Sequence, residues 1–156
     1  MRPYDLDYLR KAINLASKAR EHGNHPFGAV LVDAQGILLL EAENSVVTGR
    51  DCTGHAETNL IRKASAAYPA AALAGCTLYT STEPCAMCAG AIYWSGVGRV
   101  VYALSERGLL ELVAHLPGGD FLNLPCREVF ARGGRTVEVL GPLLEGEARE
   151  VHAGFW

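Results

Sequence analysis

Apolar residues recur at Leu6, Leu9, Ala12, Ile13, Ala16 and Ala19 across Asp5–Glu21, the spacing of a helix with one buried stripe. Gly23 follows as its terminator. Two β-rich runs, Gly28–Asp33 and Gly36–Glu43, flank Ala34-Gln35-Gly36 and read as a hairpin. Within the second run Ile37–Leu40 is continuously apolar, which predicts a strand covered on both faces. Gly54–Ala67 reads as a helix, with Asp51 or Thr53 available to cap its start. Cys76–Ser81 reads as a short strand and Pro84–Ser95 as a helix that tolerates proline in its first turn. Gly98–Ala103 then predicts a strand and Glu106–His115 a helix. Leu116–Cys126, with Pro117-Gly118-Gly119-Asp120, is the longest stretch of turn character. Thr136–Leu140 and Leu143–His152 close the chain as a strand and a helix.

Strands alternating with helices predict an α/β protein with helices on both faces of its sheet. The initial hairpin makes that sheet mixed rather than wholly parallel. No internal repeat or linker divides the chain, so residues 1–156 are expected to form a single domain. A chain of this length buries roughly two-thirds of its unfolded surface and can build a core without staples.

Composition narrows the function classes. The net charge is −3, no run of basic residues occurs, and acids outnumber bases after Val100. A protein that grips nucleic acid through phosphates normally carries a basic stripe, so no nucleic-acid partner is expected. No apolar run approaches the roughly 20 residues that span a bilayer, so no membrane association is expected. The start, Met1 to Asp7, is too acidic and too broken for a secretory signal, which predicts a cytoplasmic protein. Five cysteines, an odd number, argue against a disulfide framework. Cys52, Cys76 and Cys126 read as small buried hydrophobes.

The chemistry concentrates in His55-Ala56-Glu57 and Pro84-Cys85-Ala86-Met87-Cys88. His55, Cys85 and Cys88 are three donors of the softness zinc prefers, one short of a closed structural site. Glu57 is the spare carboxylate. Three ligands and a proton carrier predict a metal that activates water, one Zn2+ per chain. A zinc ribbon needs a second cysteine pair, which is absent, and a redox pair has no use for a distant His-x-Glu. Three residues apart on a helix, Cys85 and Cys88 share a face. Helix N-termini near His55 and Pro84 favour the thiolate form.

H-x-E followed by P-C-x-x-C is the signature of zinc-dependent base and nucleoside deaminases. The chain resembles the cytidine deaminase-like superfamily, within it the guanine, cytosine and tRNA adenosine deaminase branch. His25-Pro26-Phe27-Gly28-Ala29-Val30, Glu43-Asn44-Ser45-Val46 and Tyr79–Val101 carry the likeness over roughly the first two-thirds of the chain. The resemblance implies a three-layer α/β/α sandwich around a mixed five-stranded sheet, assembled as a homodimer. It implies that Glu57 takes a proton from water, passes it to the ring and protonates the departing amine. It further implies that Asn44 holds the edge of the base, that Phe27 stacks on it, and that Phe155 and Trp156 cover it. Guanine deaminases carry an acid in the segment matching 104–121, for which Asp120 and Glu111 are the candidates. His115 and His152 are expected at the surface or in a second layer, and Tyr93 and Trp94 as packing residues.

The expected activity is hydrolytic deamination of a free nucleobase, guanine or a related aminopurine first. Cytosine or a small nucleoside comes next, then tRNA adenosine. The remote alternative is a zinc-stabilised scaffold without catalysis.

Overall fold

A computed structural model describes all residues, 1–156. In chain order the elements are α1 Asp5–Glu21, β1 Gly28–Val32, β2 Leu38–Glu43, α2 Val46–Gly49, α3 Ala56–Ala67, α4 Ala70–Leu73 and β3 Thr77–Thr82. Then come α5 Ala86–Ser95, β4 Arg99–Leu104, α6 Glu106–Val113, α7 Cys126–Ala131, β5 Glu138–Leu140 and α8 Glu145–Glu150.

The five strands lie in the order β2-β1-β3-β4-β5. β1 is antiparallel to both β2 and β3, whereas β3, β4 and β5 run parallel. The sheet is therefore mixed, as the hairpin requires. Asp33 Oδ1 accepts from the backbone N–H groups of Gln35 and Ile37, and Gly36 supplies the positive φ that closes the turn.

Strand side chains alternate between two cores. Ala29, Leu31, Leu78, Val100 and Tyr102 face Leu60, Ile61 and Ala64 of α3 and Ala89 and Ile92 of α5. Val30, Val32, Tyr79, Val101 and Ala103 face Leu9 and Ile13 of α1 and Ala148 of α8. The central strands are buried on both faces, and the three-layer α/β/α architecture follows. A Cβ on Gly28 would lie 2.5 Å from the Ala12 carbonyl, so glycine is what lets α1 approach the start of β1.

Two expectations need correction. Ile37–Leu40 is not covered on both faces: β2 is an edge strand, it starts at Leu38, and Ile37 is 59% exposed. Trp94 does not pack internally; it stands 84% exposed on α5, while Tyr93 packs edge-on beside it. The short helices α2, α4 and α7 have no counterpart in the sequence reading. No helix is long and apolar enough to cross a membrane.

One buried ion pair fixes α1 to the sheet. Asp5 at the start of α1 accepts from both terminal nitrogens of Arg99 on β4, at 2.8 and 2.9 Å, and from the Tyr79 hydroxyl at 2.7 Å. Burial alone would raise the Asp5 carboxyl. Hydrogen bonds from Arg99, Tyr79 and the Arg2 backbone outweigh it and hold the group at about 2.

Candidate active site

The parallel strands β3 and β4 end on the same edge of the sheet, where an α/β protein binds its ligands. β3 leads through Glu83 and Pro84 to Cys85, which occupies the N-cap of α5, and Cys88 lies in that helix's first turn. His55 occupies the N-cap of α3. The expected caps are thus displaced: Asp51 Oδ1 accepts from Thr53 within its own loop, and the site residues themselves begin the helices. Both helix N-termini point positive partial charge at one place.

His55 Nδ1 lies 3.5 Å from each of the Cys85 and Cys88 sulfurs. The three ligand atoms fall within 4.8 Å of one another, close enough to share one ion. Hydrogen bonding from Cys88, helped by His55, holds the Cys85 thiol down at about 4 despite burial. The Cys88 thiol is pushed up, because it donates to Cys85 and is buried. Its hydrogen bond with Cys85 raises the His55 imidazolium. One nitrogen and two sulfurs on pre-formed helix ends suit zinc, with a fourth position left for a small molecule. A bound cation favours loss of the remaining thiol proton.

Glu57 is 4% exposed, not a solvent-facing helix carboxylate. Its Oε1 accepts from the Thr80 hydroxyl at 2.6 Å, and its Oε2 lies 3.6 Å from the Cys88 sulfur. Burial raises its carboxyl, so the protonated form is accessible nearer neutral pH than for a free glutamate. The Thr58 hydroxyl meets the Cys88 sulfur at 3.2 Å. Thr58 and Thr80 carry no motif signal: only the fold brings them to the site.

A small inner cavity of about 80 Å3 lies beside His55, Glu57 and Cys85, walled by Phe27, Thr82 and Leu109. Phe27, His55, Cys85 and Leu109 also line a cleft of about 410 Å3 bordered by His25, Trp156, Asp120 and Phe121. Of the expected substrate contacts, Phe27 and Trp156 are in this wall. Asn44 is buried outside it; its Oδ1 accepts from the Val46 backbone and its own N–H donates to the Phe27 carbonyl. Asp120 borders the cleft, whereas Glu111 is engaged with Arg107 and Arg149. Cys52 is exposed at the cleft mouth rather than buried; Cys76 and Cys126 are buried.

Trp156 reaches the cleft by folding back within its own chain. Its indole N–H donates to His152 Nδ1 at 3.0 Å, and its ring lies 5.5 Å from that of His25. His152, expected at the surface or in a second layer, is buried; burial and Arg20 lower it to about 4, so the ring is neutral and accepts. Arg20 at the end of α1 donates to the Val151 and Ala153 carbonyls and lies over the Phe155 ring.

Residues 3–104 match the cytidine and deoxycytidylate deaminase zinc-binding region. A probable cytosine deaminase of Schizosaccharomyces pombe is 42% identical, covering 97% of this chain and 92% of its own. The guanine deaminase of Bacillus subtilis is 46% identical, covering 67% of each chain. A tRNA-specific adenosine deaminase of the same bacterium is 36% identical, covering 96% of this chain and 86% of its own. The solved structure of a tRNA:A34 deaminase superposes with a TM-score of 0.73 at 28% identity, over 94% of this chain and 99% of the other.

Proposed function

The chain belongs to the zinc-binding cytidine and deoxycytidylate deaminase family, hydrolytic enzymes acting on C–N bonds, and from that premise we propose a free nucleobase as its substrate. Guanine or a related aminopurine comes first, handled by one domain spanning residues 1–156. The observation that carries this reading is the own-chain cover: Trp156, tied to His152, borders the cleft that leads to Glu57 and the three metal donors. Such a cover suits a small base better than a structured RNA.

Zinc held by His55, Cys85 and Cys88 would make water acidic enough to ionise near neutral pH. Glu57 takes the proton of the attacking water on Oε2, because Oε1 is engaged by Thr80. Glu57 passes that proton to a ring nitrogen as oxygen bonds to the amine-bearing carbon. Glu57 then takes the second proton from the newly bonded hydroxyl, as that oxygen becomes a carbonyl, and gives it to the amino group; the C–N bond breaks and ammonia leaves. Phe27 offers a flat face to the base and Trp156 excludes water. A homodimer belongs to the proposal, with exposed Trp94 as an apolar contact for the second copy.

Cytosine is the second reading, favoured by one observation. The probable cytosine deaminase matches 97% of the chain, while the guanine deaminase matches two-thirds. An ammonia-release screen across guanine, cytosine, their nucleosides and a tRNA substrate tests the proposal. Turnover of a free base at least tenfold above the tRNA is the expected result; turnover of tRNA alone overturns it.

A further inference from the structure

Two buried side-chain polar atoms lack a hydrogen-bond partner in the protein: Thr82 Oγ1 and Glu106 Oε2. Buried polar atoms are nearly always paired, so these two orphans call for an explanation. Both belong to residues of the same cavity system. Thr82 walls the inner cavity beside Glu57, and Glu106 borders the cleft that shares Phe27, His55, Cys85 and Leu109 with it. Thr82 ends β3 opposite Leu104 of β4, and Glu106 begins α6 two residues beyond that strand.

Neighbouring groups hold this edge in place. Glu83 Oε2 accepts from the Glu106 backbone N–H at 3.0 Å and its Oε1 from that of Cys126 at 3.1 Å. The Glu83 backbone N–H in turn donates to Leu104 at 2.7 Å. Glu83 is thus fully occupied, and Glu106 is the carboxyl left with an open oxygen. Neither Thr82 nor Glu106 has a role in the proton transfers assigned to Glu57.

Resting on the deaminase reading, we propose that Thr82 and Glu106 form a substrate-recognition pair at the carboxyl ends of β3 and β4. The pair takes a heterocycle that presents a ring N–H to the Glu106 carboxyl and a neighbouring carbonyl to the Thr82 hydroxyl. This lactam edge is carried by both guanine and cytosine, and adenine lacks it. A site built around buried polar groups discriminates strongly against ligands that leave them unpaired.

The test uses zinc-loaded parent, Thr82→Val, Thr82→Ser and Glu106→Gln proteins. It combines ammonia release from guanine and cytosine, calorimetric binding of the products xanthine and uracil, and thermal unfolding. Thr82→Val keeps the shape and removes the hydroxyl. It is expected to raise KM and the product Kd about tenfold, the weight of one buried hydrogen bond, with Tm unchanged or higher. Thr82→Ser is expected to restore both constants, and Glu106→Gln to raise them at least tenfold. A parent that turns over a base while Thr82→Val and Glu106→Gln keep its KM and product Kd overturns the pair alone. A parent that neither releases ammonia from nor binds any of these bases overturns the deaminase reading and the pair with it.

Discussion

The Thr80 hydroxyl lies 2.6 Å from Glu57 Oε1 and 3.0 Å from the Thr82 carbonyl. With one proton and two lone pairs, it serves both protonation states of Glu57. An ionised Glu57 accepts the Thr80 proton on Oε1, and a Glu57 protonated on Oε2 still accepts it there. The arrangement leaves Oε2, 3.6 Å from the Cys88 sulfur, as the oxygen that gains and loses the proton. Thr80→Val should therefore lower kcat about 10- to 100-fold, the loss of a hydrogen bond to a charged group. KM should change less than about threefold on the same grounds, and Thr80→Ser should recover the rate. Steady-state kinetics of the two variants decide it; a Thr80→Val enzyme with parental kcat contradicts the role.

At the scale of elements, α1 matters because its two ends do different work. Its N-terminal Asp5 holds Arg99 and Tyr79 inside the sheet, and its C-terminal Arg20 holds the segment after α8. The Asp5 carboxyl titrates at about 2 in the fold, against 3.8 for the free group. A depressed folded value means the stabilisation is complete above the free value and is lost as pH falls toward 2. This one group should cost about 2 kcal/mol of stability between pH 5 and pH 2. Urea unfolding across that range checks it. Asp5→Asn should show a shallower acid slope and, with Arg99 left buried beside exposed Glu138 alone, lower stability at pH 7. An unchanged slope would contradict the assignment.

Much of this was legible in the sequence where the signal is local. His55, Glu57, Cys85 and Cys88 announce themselves by spacing, and α1 by period. β2 was misread because whether a strand is central or at an edge depends on strand order, which Ile37–Leu40 does not encode. The helices α2, α4 and α7 span 4, 4 and 6 residues, too few turns for a period to emerge. Thr80, Thr82 and Glu106 were invisible for another reason. Each is an ordinary residue whose role comes from strand pairing and from loops that meet across the sheet edge.

For the whole molecule, the proposed cover at the last residues bears on what reaches the metal donors. Trp156 borders the cleft, tied to His152 and edge-on to His25, and Phe155 packs beside it against Arg20 and His25. Deleting the two residues should leave zinc content at one per chain. It should cut kcat/KM for a free base by about tenfold or more, since an open site loses its water exclusion. Metal analysis beside kinetics separates these effects; unchanged kinetics would remove the cover from the account.

All of these roles presuppose that Glu57 moves protons next to a metal held by His55, Cys85 and Cys88. The most direct measurement is ammonia release by zinc-loaded parent and Glu57→Gln proteins, with zinc quantified in both. The expected result is equal zinc, one per chain, and a rate reduced by several orders of magnitude in the variant. Near-parental turnover by Glu57→Gln at equal zinc would contradict the account.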